Sequence, residues 1–127
     1  IGDNCIIGPN SYIGNSVSIG DNTRIGAFSE IKDSIVMSDS IVGSYNSLVG
    51  TVVGNGTEFG TNVVANPSNR KVTYLDHTIS LSERGAMVGN RCTIGNRAVL
   101  AGGSILLEGA TIGEGEVYNA DFQGDNI

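Results

Sequence analysis

A branched apolar residue followed by glycine recurs every six residues at Ile1-Gly2, Ile7-Gly8, Ile13-Gly14, Ile19-Gly20 and Ile25-Gly26. Two polar residues, a small residue and one further residue complete each unit, and the small position holds Cys5, Ser11, Val17, Thr23 and Ser29. After an interruption the rhythm returns at Val88-Gly89, Ile94-Gly95, Leu100, Leu106 and Ile112-Gly113, with Cys92, Ala98, Ser104 and Ala110 in the small position. A helix needs apolar residues three and four apart, and an amphipathic strand needs alternation, so a period of six fits neither. It fits a chain that makes a short strand, turns and repeats, always pointing its large apolar residue inward. Three units close one triangular coil of about 18 residues, and coils stack through parallel backbone hydrogen bonds about 4.8 Å apart. Glycine beside the apolar residue suits a corner that needs positive φ or room to turn. Asn and Asp at 3, 4, 10, 15, 21, 22, 90 and 96 suit the same corners, because both tolerate the left-handed region. The pattern predicts an all-β chain: a parallel β-helix of hexapeptide repeats over residues 1–118, about five to six rungs, with a long loop at 65–87 and a tail at 119–127.

Three stretches break the rhythm. Around Glu30-Ile31-Lys32-Asp33-Ser34, Lys takes the place of glycine and the next unit is compressed to five residues. The spacing is irregular between Val42-Gly43 and Val53-Gly54, and residues 65–87 contain no hexads. Insertions in a solenoid loop out onto one face and tend to carry its chemistry, and a loop of this length in a compact domain is usually functional or mobile. Toward the end, Glu116 falls in the small inward position, which would stop the repeat by placing a charge where the core would be. Tyr118 keeps the phase, and Phe122 is expected to cap the last rung.

Composition sharpens this picture in a few places. Net charge is −6, which disfavours nucleic acid and anionic membranes as partners. No apolar run approaches the roughly 20 residues of a membrane span. Cys5 and Cys92 occupy small inward positions with no neighbouring ligands, so both read as reduced thiols acting as small apolar residues. This argues against a disulfide or a metal and for a cytoplasmic setting. The chain starts in mid-register without an initiator Met, so it reads as a fragment whose open first rung is covered by an upstream domain. Of its seven basic residues, five (Arg70, Lys71, Arg84, Arg91 and Arg97) lie between 70 and 97. In an acidic chain that concentration points to an anion site, for a sugar phosphate or the phosphates of coenzyme A.

The hexads resemble the [Ile/Val/Leu]-Gly-x-x-[small]-x units of left-handed parallel β-helix acyltransferases, which implies a left-handed coil and a homotrimer with active sites between subunits. The stretches Phe28-Ser29-Glu30-Ile31-Lys32-Asp33-Ser34, Val63-Val64-Ala65-Asn66 and Arg84-Gly85-Ala86-Met87-Val88-Gly89-Asn90 resemble one branch of that superfamily. It is the C-terminal β-helix of bifunctional, archaeal-type sugar-1-phosphate nucleotidylyltransferases. The resemblance implies an upstream nucleotidylyltransferase domain, and N-acetylation of a hexosamine-1-phosphate with acetyl-CoA as acyl donor. By that resemblance Lys32 contacts the sugar phosphate, Asn66 sits beside substrate and acetyl-CoA, Lys71 meets a phosphate, and Arg84 matches a basic position before the returning repeat. Arg70 and Arg97 join the expected cofactor-binding set.

There are departures from the branch. Its general base is a His in a His-Leu-x-Tyr run, where this chain reads Tyr45-Asn46-Ser47-Leu48. Tyr45 therefore replaces the His and Leu48 the Tyr; a phenol ionises far above neutral pH and makes a poor base, so Tyr45 joins Lys32 and Lys71 as an expected substrate-binding residue. An early phosphate-gripping Arg has no counterpart, since no basic residue precedes Arg24. The only His, His77, lies in the long loop and is the candidate base, with water as the alternative. A single His also excludes a three-His zinc site. Two readings follow: an acetyltransferase domain of nucleotide-sugar biosynthesis, or a non-catalytic β-helix that trimerises or regulates a nucleotidylyltransferase.

Overall fold

The computed structural model describes residues 1–67, 71–74, 77–80 and 85–118, the two middle segments by their backbone only. They form a left-handed parallel β-helix of about five turns, with no helix among them. The first face stacks Ile6–Ile7, Arg24–Ile25, Ile41–Val42, Glu58–Phe59, Thr93–Ile94 and Thr111–Ile112. The second stacks Tyr12–Ile13, Glu30–Lys32, Ser47–Val49, Val64–Ala65, Val99–Leu100 and Val117–Tyr118. The third stacks Ser18–Ile19, Ile35–Val36, Val52–Val53, Met87–Val88 and Ile105–Leu106.

Register puts the large apolar residue of each unit inside, as the period requires. Ile25, Val42, Phe59 and Ile94 line the first face, and Ile31, Leu48, Ala65 and Leu100 the second, each at most 2% exposed. Burying an Ile or Leu of this kind contributes about 1.5–3 kcal/mol.

The small positions carry a second ladder. Ser11 Oγ donates to Gly26 O (2.8 Å), Ser29 Oγ to Gly43 O (3.0 Å), Ser40 Oγ to Gly54 O (2.9 Å), Thr51 Oγ1 to Ala65 O (2.8 Å) and Thr57 Oγ1 to Gly89 O (2.8 Å). A hydroxyl is favoured here because it fits the narrow interior and satisfies a carbonyl of the next rung. The two free cysteines take the same role: Cys5 Sγ lies 3.0 Å from Gly20 O and Cys92 Sγ 3.2 Å from Leu107 O.

The glycine of each unit is explained by space and not by positive φ. A Cβ on Gly26 would lie 2.5 Å from Ser44 N of the next rung. The left-handed conformation falls two residues later, at Asn4, Asn10, Ser16, Asn22 and Phe28, with φ of 57–58°. The other corner polar residues cap instead: Asn55 N donates to Asn90 Oδ1 and Thr61 N to Asn96 Oδ1, both at 2.8 Å. Glu116 does not enter the core. It is exposed, and its Oε1 accepts from Gly113 N at 2.9 Å. Tyr118 does keep the phase, pairing with Leu100; Phe122 and the tail lie outside the described residues.

All irregularity falls on one edge. From the first face to the second, and from the third to the first, every inward residue follows the last by six positions, as in Ile25 to Ile31 and Val36 to Val42. Between the second and third faces the step is six from Ile13 to Ile19, but five from Ile31 to Val36 and from Leu48 to Val53. On the next rung the same edge opens to admit the residues between Ala65 and Val88. The long loop predicted at 65–87 contains an antiparallel hairpin, Lys71–Tyr74 with His77–Ser80. It closes at Gly85, whose N donates to Gly50 O at 2.9 Å and whose Cβ, if present, would collide with Val49 O and Thr51 Oγ1.

Candidate functional site

The edge between the second and third faces holds the candidate site. Lys32 and Val49 are register partners, and Asn66 follows Ala65, the partner of Leu48. Lys32, Val49 and Asn66 therefore form one line up the edge. Two rungs separate Lys32 from Asn66, about 10 Å at the ordinary strand spacing. Sequence spacing alone left these two unrelated; the two five-residue corners bring them into line on the edge where the inserted segment leaves the coil.

Asn66 is half-buried where the chain leaves the coil. Its side chain bonds Ser47 Oγ at 3.1 Å. Its network is best satisfied with Nδ2 donating to Ala65 O and Ser47 O, 3.2 Å each, and Oδ1 accepting from Ser47 Oγ at 3.2 Å. The amide is thus pinned by its neighbour strand. Lys32 is partly exposed, its Nζ 3.9 Å from Glu30 Oε2. Its stem lies against Gly14, with Cγ 2.8 Å from where a Cβ would stand, which anchors the ammonium at the edge.

The remaining predicted residues lie elsewhere. Tyr45 is on the opposite edge of the second face, 58% exposed, in the left-handed region at φ 59°. Its ring stacks on that of Phe28, with centroids 5.2 Å apart and planes at 7°. Arg97 shares that edge and pairs with Glu114, as Arg91 pairs with Glu108 on the third edge. Lys71 and His77 belong to the hairpin strands, pairing with Ser80 and Tyr74, and their side chains lie outside the described residues. Arg70 and Arg84 lie outside them altogether. No group of three or more His, Cys, Asp or Glu able to hold a metal occurs among the described residues.

Sequence reasoning missed Ser47 and left Glu30 without a role. Both precede a buried residue and so point outward, and they are direct register partners on the second face. The signal was present in the phase of the repeat, but reading it required knowing that the intervening corner is one residue short.

The family model described as bacterial transferase hexapeptide (six repeats) matches residues 1–33. No curated protein matches the chain by sequence at a significant level. Among solved structures, AntD, an N-acyltransferase from Bacillus cereus in complex with dTDP and 3-hydroxybutyryl-CoA, superposes with a TM-score of 0.79. It is 17% identical, and the match covers 96% of this chain and 73% of AntD. A variant of AntD with dTDP and Coenzyme A gives a TM-score of 0.77 at 17% identity, covering 97% of this chain and 74% of that one. At this identity the likeness shows a shared β-helical fold, nearly end to end.

Proposed function

We propose that the chain is an acyl-CoA-dependent N-acyltransferase acting on an amino sugar that carries a phosphate. In its finest form the reading is N-acetylation of a hexosamine-1-phosphate in nucleotide-sugar biosynthesis, in a cytoplasmic homotrimer behind an upstream nucleotidylyltransferase domain. One observation supports it above the others: the inserted segment leaves the coil at the end of a line holding Lys32 and Asn66. The fold is one that AntD, an N-acyltransferase, shares over nearly its whole extent here.

In this reading Lys32 attracts the sugar phosphate, and the pinned amide of Asn66, its Nδ2 already donating to Ala65 O and Ser47 O, orients the amine through the second lone pair of Oδ1. Arg91 and Arg97 pair at the surface with Glu108 and Glu114. The phosphates of acetyl-CoA therefore fall to Arg70, Lys71 and Arg84 of the inserted segment, and less to Arg97. Holding amine and thioester together supplies most of the rate enhancement; His77 enters if the hairpin reaches a neighbouring site. The amine attacks the thioester carbonyl, a nitrogen–carbon bond forms, the carbon–sulfur bond breaks, and the thiol leaves with a proton.

A second reading, a non-catalytic trimerising or regulatory coil, is favoured by Tyr45, which occupies the place of the family base yet is committed to Phe28. Titration calorimetry with acetyl-CoA, followed by assay with glucosamine-1-phosphate and galactosamine-1-phosphate, separates the two. Binding and turnover, with kcat falling about 100-fold in Asn66→Ala as for misplacement of a reactant by about an ångström, support the enzyme. A folded trimer that neither binds acetyl-CoA nor turns over supports the second reading.

A further inference from the structure

Acyl transfer to nitrogen must dispose of one proton from the attacking amine, and among the described side chains Tyr45 is stacked on Phe28 at the opposite edge of the second face. We propose that the Glu30 carboxylate is that proton acceptor, an assignment that rests on the acyltransfer reading above. Glu30 and Ser47 are register partners on adjacent parallel strands, about 4.8 Å apart. Both precede fully buried residues, Ile31 and Leu48, and so face outward on the same surface. Ser47 holds the Asn66 amide, so Glu30 stands one strand from the group that orients the reacting centre.

Its electrostatic setting suits the task. The Glu30 side chain is 48% exposed, and its pair with Lys32 is loose at 3.9 Å, leaving carboxylate oxygens open to a donor. Among the described carboxylates, Glu58 faces outward from the first face, Glu108 and Glu114 are tied to arginines, and Asp33 lies at the left-handed corner beyond Lys32, past the end of the strand that pairs with Ser47. The Glu30–Lys32 spacing also selects a substrate. An anomeric phosphate on Lys32 and an amine on the adjacent sugar carbon are separated by a similar few ångströms, whereas an amine across the ring from the phosphate is not. The balanced step transfers the ammonium-side proton from nitrogen to Glu30 as the nitrogen–carbon bond forms. The carbon–sulfur pair leaves with the thiolate, which takes up a proton in turn.

The test uses the full chain, with acetyl-CoA and glucosamine-1-phosphate as probes. In Glu30→Gln, kcat is expected to fall about 100-fold or more, the range of general-base catalysis. Acetyl-CoA Kd and the melting midpoint should stay at wild-type values. In Glu30→Ala, added formate is expected to restore part of the rate, since a small carboxylate can occupy the vacated space. A sugar with its amine across the ring from the phosphate should be acylated far more slowly than glucosamine-1-phosphate. Wild-type kcat in Glu30→Gln overturns the assignment, and so does a loss that formate leaves untouched or that comes with weakened acetyl-CoA binding. If the wild-type chain itself neither binds acetyl-CoA nor acylates the sugar, the acyltransfer reading falls and takes this assignment with it.

Discussion

Two residues show how the narrow coil sets its own energetic terms. Asn46 occupies a small inward position at 2% exposure; its Oδ1 accepts from Val63 N at 2.7 Å, but its Nδ2 has no partner. An orphaned buried donor costs about 1–3 kcal/mol. Asn46→Ser would let one hydroxyl accept from Val63 N and donate to Gly60 O, as Ser29 does for Asn46 N and Gly43 O. The expected gain is about 1 kcal/mol, read as a higher midpoint in thermal unfolding; a lower midpoint would mean the amide is satisfied after all. Phe28 and Tyr45 form the second case. Both hold left-handed corners that Asn or Gly would adopt more easily, and both gain a stacked partner in exchange. A double-mutant cycle with Phe28→Asn and Tyr45→Asn should give a coupling of about 0.5–1.5 kcal/mol, and a coupling near zero would leave those aromatic corners without a structural reason.

At the scale of the element, the inserted segment behaves as an addition to a corner that was already complete. Without residues 67–84 the chain would read Ala65-Asn66-Gly85-Ala86-Met87-Val88, matching Leu48-Val49-Gly50-Thr51-Val52-Val53 one rung below in length and in its central glycine. Gly85 N already bonds Gly50 O at 2.9 Å, which ties the returning chain to the rung below. A variant lacking 67–84 should therefore fold with a cooperative melt and a β-rich circular dichroism spectrum, and should lose acetyl-CoA binding. A variant that fails to fold would instead make the hairpin part of the coil's own stability.

The period alone made the architecture legible, since one buried Ile, Val or Leu per six residues has few other uses. The short corners at Lys32-Asp33-Ser34 and Val49-Gly50-Thr51 were visible as lost beats. Their common location on one edge was not, because that depends on which face each unit occupies. The candidacy of Lys32 and Asn66 comes from resemblance, while their alignment, and the company of Ser47 and Glu30, comes only with the register.

Across the described coil, the strand pairings run from each rung to the next. Rungs of this kind are stabilised by their neighbours and by little else. Inward residues of the first rung, Ile7 and Ile13, remain half-buried, while Ile25 and Ile31 one rung further on are at 2% and 0%. In a preparation of residues 1–127 alone, opening should therefore begin at the terminal rungs and move inward, with local unfolding free energy rising toward the middle of the coil. Deuterium exchange offers a direct reading. Thr51 N and Cys92 N, which donate to the hydroxyls of Ser34 and Thr57 inside the coil, should exchange more slowly than Tyr12 N near the first rung or Val99 N near the last. Seen this way, position along the axis acts as a clock, in which each amide reports how many neighbours must let go before water can reach it.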